Sequence, residues 1–188
     1  MGEQEFVTEP RLIIQPARTD ELETVVDIIC QAAVWLKAKG IRQWESPPPP
    51  GLLELLEREI TKQQVYLAWL EGAEEPIATF RFEWQGGPVW PDEVAAGYLH
   101  SLALRPAYIG RRLGDQIIEW AKARILQCGK RWMRLDCIAA NERLRRYYER
   151  LGFQFRGCGT IGGYVLALYQ LDLSEEQGSP ASSLEPEA

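Results

Sequence analysis

Between Tyr98 and Phe153 the apolar residues change their spacing three times, and few folds accommodate such a run. Tyr98 to Leu104 is a mainly apolar strand. Arg105-Pro106 stops it, because proline has no N–H to give a ladder. A basic, glycine-bearing turn follows, Ile109 to Gly114. Leu113, Ile117, Trp120, Ala121 and Ile125 then recur at helical spacing. Gly129, beside Cys128 and Lys130, closes that helix. Arg131 to Ile138 is a strand again, with Met133, Leu135 and Cys137 on one face. A second helix opens near Asn141 and ends at Leu151-Gly152. Two strands joined through a helix imply a parallel crossover.

The rest of the chain supplies shorter elements. Residues 1–9 read as a flexible polar arm. Arg11 to Pro16 is a short strand closed by proline. Thr19 or Asp20 offers an N-cap to a helix running through Val25, Val26, Ile29, Ala33 and Leu36 to Gly40. Pro47 to Pro50 favour an extended linker over a helix. Gly51 to Gln63 is a helix with Leu52, Leu55, Leu56 and Ile60 on one side. Gln64–Leu70 and Pro76–Gln85 read as a hairpin, and Gly86-Gly87-Pro88 breaks its second strand. Phe153–Arg156 and Tyr164–Leu173 are two last strands around a glycine-rich loop, Gly157 to Gly163. The tail 174–188 has almost nothing to bury and reads as disordered. The expected order is β-α-α-β-β-β-α-β-α-β-β. That is a single α/β domain over 10–173, with a mixed, mostly antiparallel sheet of about seven strands and helices on both faces.

Charge and cysteine usage narrow the function. The formal charge is −6, but seven acids and no base lie in 1–9 and 174–188. The stretch 10–173 therefore holds 21 basic and 20 acidic residues and carries no footprint for nucleic acid. Cysteines 30, 128, 137 and 158 lack CxxC spacing, and there is one histidine, so no metal site is expected. Reduced buried thiols are the simpler reading, with a Cys128–Cys158 pair left open. No apolar run suits a signal peptide or a membrane span, so the expectation is a cytoplasmic protein that does not engage membrane.

The turn is chemically pointed. Gly110 and Gly114 let a ligand approach the backbone, and the first N–H groups of the helix behind them are unpaired. Such a helix start attracts anions, most often phosphate, and Arg111 and Arg112 add charge. A purely structural glycine turn is the competing reading. The spacing fits neither a P-loop nor a dinucleotide fingerprint. With Asn141 and Tyr148-Glu149-Arg150-Leu151-Gly152-Phe153 added, the stretch resembles the GNAT superfamily of acetyl-CoA-dependent N-acetyltransferases, over roughly residues 11–172. That family's turn reads Gln/Arg-x-x-Gly-x-Gly/Ala, and its later element places Asn before Tyr-x-x-x-Gly-Phe. Two turn positions depart from the pattern: Ile109 stands for Gln or Arg, and Arg112 for the first glycine. Gly114 keeps the second.

The resemblance implies an acetyl-CoA co-substrate, no metal, and fourth and fifth strands that splay apart. The cofactor's pantetheine arm would then hydrogen-bond to backbone at Leu102, Ala103 and Leu104. Its pyrophosphate would meet the turn at Ile109, Gly110, Arg111, Arg112, Leu113 and Gly114, and Asn141 and Tyr148 would contact the arm. Acetyl transfer to an amine needs a neutral amine, a stabilised oxyanion and a proton for the departing thiolate. The resemblance casts Tyr148 as the general acid, against a packing role for its ring; the adjacent Tyr147 points elsewhere. For the base there are two candidates on strands. His100 shares a face with Tyr98 and Leu102, and its residue type changes charge near neutral pH. Glu83 is the other. A backbone N–H near Leu104 would serve the oxyanion. Asn141 also fits a helix N-cap. Arg143, Arg145, Arg146 and Arg150 read as a solvated face balanced by Glu142 and Glu149, or as a contact for the 3′-phosphate. Trp35, Trp44, the proline linker and the Gly157–Gly163 loop would shape the acceptor pocket. The expected function is acetyl transfer from acetyl-CoA to a primary amine of a small molecule or of a protein or peptide. The alternatives are a non-catalytic acyl-CoA-binding or regulatory protein on the same fold, and a scaffold acting as a homodimer.

Overall fold

In the computed structural model, residues 10–90, 92 and 94–174 are described. The arm expected at 1–9 and the tail beyond Ser174 lie outside them. Seven strands form one sheet: β1 (Leu12–Pro16), β2 (Val65–Leu70), β3 (Ala78–Glu83), β4 (Ala96–Leu104), β5 (Trp132–Ile138), β6 (Gln154–Ile161) and β7 (Tyr164–Asp172), in the order β1-β2-β3-β4-β5-β7-β6. Helices α1 (Leu22–Ala38) and α2 (Pro50–Thr61) lie between β1 and β2 in the chain. Helix α3 (Leu113–Gln127) joins β4 to β5, and α4 (Glu142–Arg150) joins β5 to β6. The element order is the expected one. β4 pairs parallel with β5, whereas β1–β2, β2–β3, β5–β7 and β6–β7 are antiparallel. The β4–β5 ladder runs from Ala96↔Trp132 to Leu99↔Leu135, although β4 continues to Leu104 and β5 to Ile138. Just past the ladder's end Ser101 turns to φ +54, which interrupts the strand's side-chain alternation.

The chain divides into two compact units. One holds residues up to Arg81 together with Ser101–Ile117; the other holds Phe82–His100 and residues from Ile118 on. In the first, α1 buries Val25, Ile28, Ile29, Ala32 and Ala33, which share one helical face. All of them but Ala33 pack with Leu56 and Ile60 of α2, Val65 and Leu67 of β2, and Ala103. Each large aliphatic side chain buried this way contributes about 1.5–3 kcal/mol. In the second, Trp90, Ala96, Tyr98, Leu166 and Leu168 form a cluster. Gly97 has a packing reason there. A Cβ on it would fall 2.5 Å from Ile125 and 2.8 Å from Phe82, so only glycine admits α3 this close to β4.

Three local readings need correction. Thr19 and Asp20 do not cap α1. They lie in a 3₁₀ turn, Thr19–Glu21, and the N–H of its N-cap, Arg18, donates to the Glu21 carboxylate at 2.8 Å. Pro50 is not linker but the first residue of α2, where a missing N–H costs nothing. The supposed loop from Gly157 is mostly strand. β6 runs to Ile161 with a register shift between Phe155 and Gly157, and Gly162 and Gly163, both at positive φ, make the hairpin turn. That stretch is therefore ladder, not a long loop for an acceptor. All four cysteines are free, but of the thiols expected to be buried only Cys137 is; Cys30 is half-buried and Cys128 and Cys158 are exposed. Among the described residues no helix is long and apolar enough to cross a membrane.

Candidate active site

Strand register assembles the polar centre of the second unit. Tyr98 lies opposite Arg134 in the β4–β5 ladder, so two residues on, at alternating side-chain spacing, His100 and Asp136 come together. His100 Nδ1 stands 2.7 Å from Asp136 Oδ2. Its other ring nitrogen, Nε2, stands 3.6 Å from Glu83 Oε1 of β3. The three side chains are largely buried, at 12% exposure for His100 and 16% for each acid. A carboxylate only accepts, so Nδ1 is the donor toward Asp136. Because the two acids sit on opposite nitrogens they do not converge on one ion, and no metal-holding cluster occurs among the described residues.

A second layer holds this centre. The Tyr98 ring stacks on His100 with centroids 6.3 Å apart and planes 6° from parallel. Arg134, 2% exposed, donates to Gln170 Oε1 at 2.8 Å, to both Asp92 carboxylate oxygens at 3.0 and 2.8 Å, and to the Tyr98 hydroxyl at 3.3 Å. The guanidinium also lies 4.3 Å from the Trp90 ring centre. A buried charge is tolerated only with such a full set of partners. Arg134 in turn holds Asp92 below the usual carboxylate range, chiefly through their hydrogen bond.

Tyr148 is 4% exposed on α4, against Phe153, Tyr169 and Tyr147. Burial raises its hydroxyl above the ordinary tyrosine value. Burial likewise pushes the Cys137 thiol up to about 12, with Asp136 contributing. Both groups thus keep their protons at neutral pH. Asn141 is the N-cap of α4, its Oδ1 accepting from the Leu144 N–H at 3.1 Å. Of the basic residues on that helix, Arg145 donates to the Tyr169 hydroxyl, which donates to Glu149; Arg146 faces Glu142 at 3.6 Å; Arg150 lies over the Tyr147 ring. These three are engaged within the unit, as a balanced face would be.

The turn lies in the first unit. After a 3₁₀ stretch, Pro106–Tyr108, the chain passes Gly110 at φ +87 and Arg112 at φ +58 before α3 begins at Leu113. Arg112 thus takes a left-handed conformation that glycine adopts freely, at a cost of about 1–2 kcal/mol. Its side chain is 77% exposed and pairs with Asp115 at 3.1 Å. Arg111 lies over the Tyr108 ring. Leu102 and Leu104 are half-buried and Ala103 is buried. Elsewhere in this unit Trp35 lines a shallow groove with Cys30, Val34, Ser46, Pro106 and Tyr108, whereas Trp44 packs on the core.

The sequence model of the acetyltransferase (GNAT) family matches residues 34–153, a span that takes in the turn, His100 and the Tyr148–Phe153 element. The chain belongs to that family. Among its relatives is a protein described as the uncharacterized N-acetyltransferase YesJ of Bacillus subtilis (strain 168), 27% identical over 157 residues, which cover 80% of this chain and 86% of YesJ. A GNAT-family acetyltransferase from Listeria monocytogenes 4b F2365 superposes with a TM-score of 0.68 at 26% identity, covering 86% of this chain and 95% of its own. YncA of Salmonella typhimurium, described as a putative acetyltransferase and solved with its cofactor acetyl-CoA, shares the fold: TM-score 0.59 at 20% identity, over 91% of this chain and 98% of its own.

Against the GNAT pattern, Arg112 changes the residue at a glycine position and adopts a backbone that glycine favours. Sequence reasoning missed Asp136, which joins the centre by register alone. The available signal was polarity. On β5, Arg134 and Asp136 alternate against the apolar Met133, Leu135 and Cys137, and two charged residues on the second face of an interior strand need partners.

Proposed function

We propose that this GNAT acetyltransferase moves the acetyl group of acetyl-CoA directly to a primary amine of a small molecule or of a protein or peptide. The observation that carries the reading is the pair of acceptor atoms 3.6 Å apart, His100 Nε2 and Glu83 Oε1. With Nδ1 donating to Asp136, the neutral ring offers a lone pair on Nε2. A protonated primary amine can donate to both atoms at once. It donates one N–H to Glu83 and gives one proton to His100. The neutral amine then attacks the thioester carbonyl carbon, and the carbonyl oxygen becomes an oxyanion held by a backbone N–H near Leu104. Collapse breaks the C–S bond; the second proton lost by the nitrogen restores the Tyr148 hydroxyl once that hydroxyl has protonated the departing thiolate, and His100 passes its proton to solvent. The thiolate leaves against the Tyr148 hydroxyl, which donates to it. The balance is one amide, one coenzyme A thiol and one proton released to solvent.

The cofactor is assigned to the backbone of Leu102, Ala103 and Leu104 and to the turn from Ile109 to Gly114, with Asn141 and Tyr148 toward the arm. YncA's acetyl-CoA complex supports this as a relative's property. A backbone at φ +58 lets Arg112 keep the turn's glycine-like shape, which supports cofactor binding in the catalytic and the acyl-CoA-binding readings alike. The test is a panel of primary amines — aliphatic diamines, arylalkylamines, amino acids and lysine- or N-terminal peptides — incubated with acetyl-CoA, with free thiol and acetylated amine both quantified. Stoichiometric thiol and amide with one class is the expected result. Acetyl-CoA binding without product from any class would overturn the catalytic assignment and leave the cofactor assignment standing.

A further inference from the structure

We propose that Asp136 is a positioning residue for the transfer reaction: it fixes His100 in the tautomer protonated on Nδ1, which aims the basic Nε2 lone pair beside Glu83. The inference rests on the reading of His100 as the proton acceptor. Three constraints converge on the imidazole. Asp136 of β5 holds Nδ1 at 2.7 Å. Tyr98, on β4 itself, stacks on one ring face and is anchored by the Arg134 hydrogen bond. Glu83 of β3 faces Nε2. Turning the ring over would put a carbon where Nδ1 now meets Asp136 and leave a largely buried carboxylate without that donor. The opposite tautomer would place a lone pair against the same carboxylate. When Nε2 takes a proton from the substrate ammonium, the imidazolium that forms lies between two carboxylates, so charge is stabilised where it develops.

The chain's one histidine makes the inference directly readable. In full-length protein labelled with ¹⁵N-histidine, a single imidazole contributes to the spectrum. The expected result for the neutral ring is a protonated Nδ1 and an unprotonated Nε2. The reverse pattern in the wild-type protein overturns the proposal without any variant. In Asp136→Asn the ring should lose its single tautomer, and kcat should fall at least about tenfold with the acetyl-CoA dissociation constant unchanged. Asp136→Glu, which keeps the carboxylate, should recover part of both signals and covers the case in which the Asn variant fails to fold. An unchanged kcat in a folded Asp136→Asn variant overturns the positioning role. His100→Gln separates the two readings. Full turnover in that variant sinks His100 as the base, while the Asp136–His100 contact stays visible in the wild-type spectrum.

Discussion

The turn at Ile109–Gly114 and the centre around His100 are built in opposite ways. The turn is one contiguous segment, and in the proposed assignment its working parts are backbone N–H groups and φ angles. Its side chains are secondary, with Arg112 exposed on Asp115. The centre takes one side chain from each of β3, β4 and β5, and its working parts are carboxylates and rings under cover. A backbone device tolerates a change of residue provided the replacement reaches the same conformation. A side-chain device does not tolerate the loss of one functional group. Substitutions that leave the main chain alone should therefore be mild at the turn and severe at the centre.

The largest expected effect falls on chemistry. Tyr148→Phe removes the donor hydroxyl while keeping the ring that packs on Phe153, so kcat should drop about 100-fold or more with cofactor affinity unchanged. Single-turnover assays check this, and full activity would return Tyr148 to a packing role. Next comes Gly97→Ala, whose methyl would collide with Ile125 and Phe82. It should cost about 1–3 kcal/mol of stability in denaturant titrations. Arg112 then tests the backbone device. Arg112→Val places a β-branched residue at φ +58 and should cost about 1 kcal/mol. In Arg112→Gly, relieved strain and the entropy of glycine in the unfolded chain offset each other to within about 0.5 kcal/mol.

The smallest effect is a pH limb. Cys137 titrates near about 12 in the folded chain and, as an ordinary thiol, near about 8.5 unfolded. Its contribution to stability is therefore fully present below about pH 8.5 and declines as pH rises toward the folded value. Between pH 8 and 9 the loss should be under about 1 kcal/mol, and Cys137→Ala should flatten it.

This contrast also explains what the sequence could disclose. Turn, Asn141 and Tyr148-to-Phe153 are local words, since backbone motifs must be spelled in consecutive residues. The element order was legible because each change of apolar period marks an element, and Pro106, Gly129 and Gly152 punctuate them. Boundaries slipped where local chemistry has two outcomes. Pro50 ends a linker or starts a helix, and Thr19 caps a helix or enters a 3₁₀ turn. The Gly157–Gly163 stretch read as loop because cross-strand pairing with β7, a long-range contact, holds it extended. His100 and Glu83 were identifiable as candidates by residue type and strand. The bond between His100 and Asp136 was not, because register joins residues that are 36 positions apart.

The measurement that tests this account most directly is thermal unfolding with and without acetyl-CoA for wild type, His100→Gln and Arg112→Val side by side. At 100 times its dissociation constant a ligand adds about 2.7 kcal/mol. The account predicts that stabilisation for wild type and for His100→Gln alike, and a clear loss of it for Arg112→Val. No shift in the wild-type protein at millimolar acetyl-CoA would contradict the assignment of the turn to the cofactor, and with it the acetyl-transfer reading.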